Sequence, residues 1–163
     1  MSTGESIGCW PARGNASNIW VVRRKRRSDI AERLLDWFAR ERRDLPWRRT
    51  RDPYAIWISE VMLQQTQVAR VVPKYHAFLE RFPTPAACAA ASQGDVVTLW
   101  AGLGYNRRAV QLHRAARVLV ADHDGAVPNR LAGLLALPGV GPYTARAVLA
   151  FAFEQDAAVV DTN

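Results

Sequence analysis

Three residues in this chain have types and surroundings that could do chemistry on a bond. Glu60 sits among Trp57, Ile58, Val61, Met62 and Leu63. In a packed helix such neighbours strip water from a carboxyl, raise its pKa and make it a proton donor; the ordinary alternative is a solvated helix glutamate. Asp161 follows the apolar run Ala157-Ala158-Val159-Val160 and precedes Thr162-Asn163. On its own residues it reads as a helix N-cap. Tyr143 stands just after Leu137-Pro138-Gly139-Val140-Gly141.

That glycine segment lies between two helical stretches, Leu131 to Ala136 and Pro142 to Phe153. Glycines around one apolar residue allow a tight turn with positive φ and bring backbone N–H groups to the surface. The following helix starts there, and its free N–H groups and dipole favour a phosphate. Such a hairpin could grip a nucleic-acid backbone without reading sequence, or it could be a plain helix connector.

The elements that must hold these groups read as helices almost throughout. Ser28, with Asp29 and Glu32, predicts a helix start, followed by an apolar face of Ile30, Leu34, Leu35, Trp37 and Phe38. Asp52-Pro53 opens a helix to about Gln65, and Thr66 or Gln67 opens one that ends before Phe82-Pro83. Thr84-Pro85 and Ser92 start two short helices, the second closing at Gly102. Asn106 to about Ala121 is longer, and Pro128 and Pro142 open the last two. Only Ala157 to Val160 hints at extended chain. The expected class is all-α.

Composition narrows the setting. With 49% apolar residues the chain can form an ordinary core, and it contains no apolar run of membrane-spanning length, so no membrane partner is expected. Its two cysteines, Cys9 and Cys88, exclude a disulfide scaffold and suit a reducing, intracellular setting. His76, His113 and His123 have no metal-ligand spacing, and no metal site is expected. Of the net charge of +7, +5 belongs to residues 1–27, which read as a disordered basic leader ending in Arg23-Arg24-Lys25-Arg26-Arg27. Bulk charge therefore says little about the remainder.

In order along the chain stand Leu45-Pro46-Trp47-Arg48, Asp52-Pro53-Tyr54, Ser59-Glu60-Val61-Met62-Leu63-Gln64-Gln65-Thr66, Gly102-Leu103-Gly104-Tyr105, Leu137 to Gly141 and Val160-Asp161-Thr162-Asn163. The set resembles the helix-hairpin-helix base-excision glycosylases, specifically the MutY-type adenine DNA glycosylases, over about residues 29–163. The resemblance implies a helix-hairpin-helix glycosylase fold. Residues 28–45 would be the first helix of an incomplete second (iron–sulfur) lobe. Residues 46–155 would form a six-helix lobe with the helix-hairpin-helix at about 131–153, and 156–163 would begin the rest of the second lobe.

The implied activity is monofunctional removal of adenine mispaired with 8-oxoguanine or guanine in double-stranded DNA. Glu60 aligns with the acid that protonates adenine N7, and Asp161 with the carboxylate that stabilises the cationic sugar. Tyr143 stands where bifunctional relatives carry a nucleophilic lysine, and it would assist near the sugar. Gln65 and Tyr105, with Leu103, match positions that wedge into the stack; Thr66, Gly139, Val140 and Gly141 join them as DNA-binding residues. Arg43, Trp47 and Arg48 fall where the base pocket is expected. Asn106 departs from the aromatic residue common there.

Family members also carry four cysteines that hold a [4Fe-4S] cluster, none of which is among these residues. No cofactor is therefore expected on this chain unless those cysteines follow, and the chain is expected to be a truncated, weakly active form. It is expected to act as a monomer, inside the cell with DNA: bacterial cytoplasm or nucleoid, or nucleus or mitochondrion in a eukaryote. The alternatives are a thymine or uracil mismatch glycosylase of the same superfamily, and a non-catalytic DNA-binding fragment.

Overall fold

A computed structural model describes the backbone of residues 16–159 and the side chains of residues 29–159. Asp161 and residues 1–15 lie outside the described residues. The chain divides into two compact units, residues 1–43 and 44–163.

The first unit contributes one long helix, α1 (Ala16–Glu41). Its start differs from the expected one: Ser28 stands inside the helix rather than at its cap, and the backbone of 16–27, expected to be disordered leader, is helical. The reason is local. Arginine and lysine are good helix formers, and neither glycine nor proline occurs between Ala16 and Leu45 to interrupt the run. Ile30, Leu34, Leu35 and Trp37 are all more than half exposed on α1.

The second unit opens with a 3-10 turn (Pro46–Arg48) and continues through α2 (Pro53–Leu63), α3 (Val68–Arg81), α4 (Pro85–Ala90), α5 (Gln93–Trp100), α6 (Arg107–Asp122), α7 (Leu131–Leu135) and α8 (Pro142–Phe153). No strand occurs among the described residues, and the extended piece hinted at from Ala157 has no regular structure as far as it is described. The seven α-helices correspond to the seven starts read from the local signals, and α4 and α7 are each no more than about two turns. α7 also starts later than Pro128 suggests, after Arg130, which offers no side-chain cap.

Local capping sets most of these boundaries. Asp52 accepts from the Tyr54 N–H at 3.0 Å, Thr84 from Ala87 at 3.1 Å and Ser92 from Asp95 at 3.1 Å. Proline occupies the first turn of α2, α4 and α8, where its missing N–H costs nothing.

α2 is the axis of the unit. Every residue from Tyr54 to Met62 is buried, so the helix is surrounded rather than one-sided. It packs against α3, α6 and α8. Phe78, Phe82 and Trp100 stack edge-on beside it to fill the core between α3 and α5.

Candidate functional site

Glu60 is 7% exposed, a carboxyl taken out of water on the buried helix α2. It has an interaction partner, as does Tyr143. One turn further along the same helix, the Gln64 side-chain amide donates to Thr144 Oγ1 at 3.3 Å. Since residues four apart share a helix face, the Glu60–Gln64 face of α2 looks toward the N-terminal turn of α8. Tyr143 lies in that turn, half-buried, immediately after the hairpin. The structure therefore brings Glu60 and Tyr143 onto two helices in direct contact. Gln64 and Thr144, which fix their mutual register, went unrecognised in the sequence.

The hairpin has a more specific construction than its glycines suggested. Gly139 adopts φ +77°, and a Cβ there would lie 2.6 Å from Gln111 Cβ on α6. Only glycine satisfies both the left-handed conformation and the close approach. Val140 was expected at the DNA surface; instead it is 8% exposed, and its N–H donates to Leu137 O at 3.1 Å. Val140 and Leu137 anchor the turn in the core, which leaves Gly139 exposed and Gly141 half-buried at its rim. Gly141 is the N-cap of α8, and the first helical bond runs from Ala145 N–H back to its carbonyl at 2.9 Å. The N–H groups that precede this bond are the ones a phosphate could use.

Gln65 and Tyr105 are both held at positive φ, +52° and +48°, a conformation that costs a side chain about 1–2 kcal/mol. Tyr105 is 65% exposed and Gln65 is also exposed. Leu103 does not join them. It is 5% exposed and belongs to the core, because the turn at Gly102 and Gly104 points it inward. Thr66 is likewise turned to internal use: its hydroxyl lies 3.1 Å from Gln64 O and 3.3 Å from Leu103 O, and accepts from Arg108 at 3.1 Å.

Arg108, in the first turn of α6, links both loops. Its Nη1 donates to the carbonyls of Val61, Met62 and Gln64 at 2.8, 3.1 and 2.6 Å. Its Nη2 donates to Thr66 Oγ1, Leu103 O and Gly104 O, each at 3.1 Å. Burial lowers its pKa from the ordinary arginine value. A sign was present in the sequence: a cation in the first turn of a helix opposes the helix dipole and needs a partner from elsewhere.

Of the three residues expected in a base pocket, Trp47 and Arg48 belong to the second unit. Trp47 is 8% exposed and packs edge-on against Tyr75 of α3, with ring centroids 5.4 Å apart, so it is core. Arg48 is exposed in the second unit, whereas Arg43 is the last residue of the first.

Among the described residues no three His, Cys, Asp or Glu side chains come together as a metal would require. Cys88 is fully buried, and burial pushes its thiol up to about 11, the opposite of what a metal-binding thiolate needs. Two cysteines in the whole chain do not fit a four-thiolate [4Fe-4S] cluster. No described helix is long and apolar enough to cross a membrane.

Comparison with known proteins agrees with this arrangement. The chain is 51% identical over 131 residues to the adenine DNA glycosylase of Mycobacterium tuberculosis (strain ATCC 25618 / H37Rv), a match covering 80% of this chain and 43% of that protein. The chain thus spans less than half the length of that relative. The solved structure of a thermostable thymine-DNA glycosylase superposes with a TM-score of 0.80 at 37% identity, covering 85% of this chain and 64% of that one. Endonuclease III trapped in a covalent intermediate with DNA superposes with a TM-score of 0.71 at 26% identity, covering 80% and 61%. Residues 58–163 match the family described as HhH-GPD superfamily base excision DNA repair protein. The hairpin of Gly139 and Gly141, with the buried Glu60 helix packed behind it, is part of that matched region, and the chain belongs to the HhH-GPD superfamily of base excision DNA repair proteins.

Proposed function

We propose that this chain is the adenine-removing part of a monofunctional DNA glycosylase, acting as a monomer on double-stranded DNA inside the cell. The observation that carries the reading is the burial of Glu60 on α2, a helix packed against the one that starts at the hairpin. Its 51% identity to an adenine DNA glycosylase points the same way. The substrate would be adenine mispaired with 8-oxoguanine or guanine.

Adenine leaves poorly as an anion. A buried, protonated Glu60 would donate its proton to N7 as the bond between N9 and C1′ breaks, so that the base departs neutral. Positive charge then builds on the sugar, where Asp161 would stabilise it until water adds at C1′ and gives its proton to the Glu60 carboxylate, restoring the acid. With Tyr143 in place of an amine, no Schiff base can form and the strand stays intact. Exposed Tyr105 and Gln65 would enter the stack and offset the cost of extruding the adenine.

Single-turnover incubation with A:8-oxoguanine and A:G duplexes, with and without hot alkali, tests this. Breaks that appear only after alkali support the reading, whereas breaks without alkali would point to a lyase. A second reading draws on the structural match to a thymine-DNA glycosylase. Faster excision from a T:G duplex than from either adenine duplex would favour it. Binding to duplex DNA with no excision from any of them would leave a non-catalytic binding module.

A further inference from the structure

The two strained, exposed residues Gln65 and Tyr105 sit on loops far apart in sequence, and Arg108 bonds to both loops. Its guanidinium caps the C-terminal end of α2, where the carbonyls of Val61, Met62 and Gln64 lack helical donors of their own. Those carbonyls form the negative end of α2, so a cation is favoured there. From the other nitrogen the same group holds Leu103 O and Gly104 O, directly before Tyr105. The guanidinium also lies over two rings, 5.4 Å from the centroid of Trp100 and 5.6 Å from that of Tyr105. Trp100 is fully buried and adds its own bond to Gly104 O at 3.2 Å. The Tyr105 ring is therefore backed by a fixed cation while most of its surface faces solvent.

We propose that Arg108 is a positioning residue that locks Gln65 and Tyr105 into one preformed wedge for the base stack. The proposal rests on the glycosylase reading given above and deepens it. Arginine suits the task because its planar fork reaches acceptors on two loops at once, which the point charge of lysine does not. Positive φ at Gln65 and Tyr105 would relax if those acceptors were released, since that region is strained for a residue with a side chain. A wedge already ordered before DNA arrives loses less freedom on binding, and so binds more tightly for the same contacts.

Two measurements on the full chain decide this. In the first, amide hydrogen exchange is compared without DNA between the unsubstituted protein and Arg108→Met. Residues 61–66 and 102–106 should exchange about tenfold faster in the variant, while α8 keeps its protection. Unchanged exchange in both loops overturns the clamp.

In the second, affinity is measured for an A:8-oxoguanine duplex and for its fully paired counterpart in a Glu60→Gln background, which prevents turnover. Arg108→Met should reduce the preference for the mismatch by about tenfold when Gln65 and Tyr105 are present. It should change that preference by less than about twofold when both are alanine. Equal losses in the two backgrounds would mean that Arg108 serves the fold alone, and the proposal fails. If Arg108→Met does not fold, Arg108→Lys carries the same cycle, with a smaller loss expected because charge is kept and the fork is not. If the unsubstituted chain shows no preference between the duplexes, the glycosylase reading falls and the wedge falls with it. If that preference is intact but the cycle is additive, only the role of Arg108 is lost.

Discussion

The Gln64 side-chain amide donates to Thr144 Oγ1 at 3.3 Å, joining the helix that carries Glu60 to the one that carries Tyr143. Thr144 is 2% exposed, so this bond is made away from water and sets how the two helices register. Thr144→Val keeps the shape and removes the acceptor. The variant should lose about 1 kcal/mol of stability, the ordinary worth of such a bond, and its excision rate should fall several-fold. Urea unfolding and single-turnover rates measure the two effects. A rate equal to that of the unsubstituted chain would mean that the bond serves packing alone.

Glu60→Gln separates chemistry from folding. The amide has nearly the same volume as the protonated carboxyl and can still hydrogen-bond at the buried position. Thermal unfolding should therefore change little. Excision of adenine should fall by roughly a hundredfold or more, the usual worth of a positioned general acid. Retained activity would remove Glu60 from the mechanism.

Much of the fold can be read directly where the signals are local. Asp52, Thr84 and Ser92 announce helices because each bonds to an N–H within three residues, so the sequence contains both partners. The misreadings occur where the partner is remote. Leu103 and Val140 each sit between glycines, and a single apolar residue in such a turn can point inward or outward with equal ease; packing against the rest of the unit draws both inward. Arg108 carried only a weak sign, its place in the first turn of a helix, because its acceptors are chiefly backbone carbonyls, which every residue supplies and no motif marks. Asp161 reads from its neighbours only as a helix cap, its site role comes from the resemblance, and it lies outside the described residues.

The two hairpin glycines should respond differently to the same methyl group. At Gly139 a Cβ meets Gln111 Cβ at 2.6 Å and the backbone is at φ +77°, so Gly139→Ala should cost about 2 kcal/mol or more. At Gly141 no atom lies within 4 Å of a Cβ and φ is −91°, so Gly141→Ala should stay within about 1 kcal/mol of the unsubstituted chain. Its duplex affinity should nevertheless fall, because the methyl stands where a phosphate would approach the start of α8. Denaturation and duplex-binding titrations separate the two. Equal stabilities for the two variants would contradict the geometry of the turn.

Alkaline pH should destabilise the second unit through groups that have no part in catalysis. Burial pushes the Cys88 thiol from 9.0 up to about 11, although the neighbouring Tyr54 hydroxyl pulls the other way. Burial, aided by the charge of Asp52, pushes the Tyr75 hydroxyl from 10.0 up to about 12. Tyr54 is shifted upward as well, again chiefly by burial. A raised pKa in the folded state means that the unfolded chain loses its proton first. The stabilisation from the neutral thiol is therefore complete below pH 9 and lost as pH rises toward 11, with Tyr75 following one unit later. For fully buried Cys88 the loss across that window is of order 2 kcal/mol. Cys88→Ala removes the thiol's contribution, so its stability should fall less steeply between pH 9 and 11 even though its starting value is lower. Urea midpoints measured over that range would expose the difference in slope, and parallel curves for the two proteins would show that Cys88 does not titrate as a buried thiol.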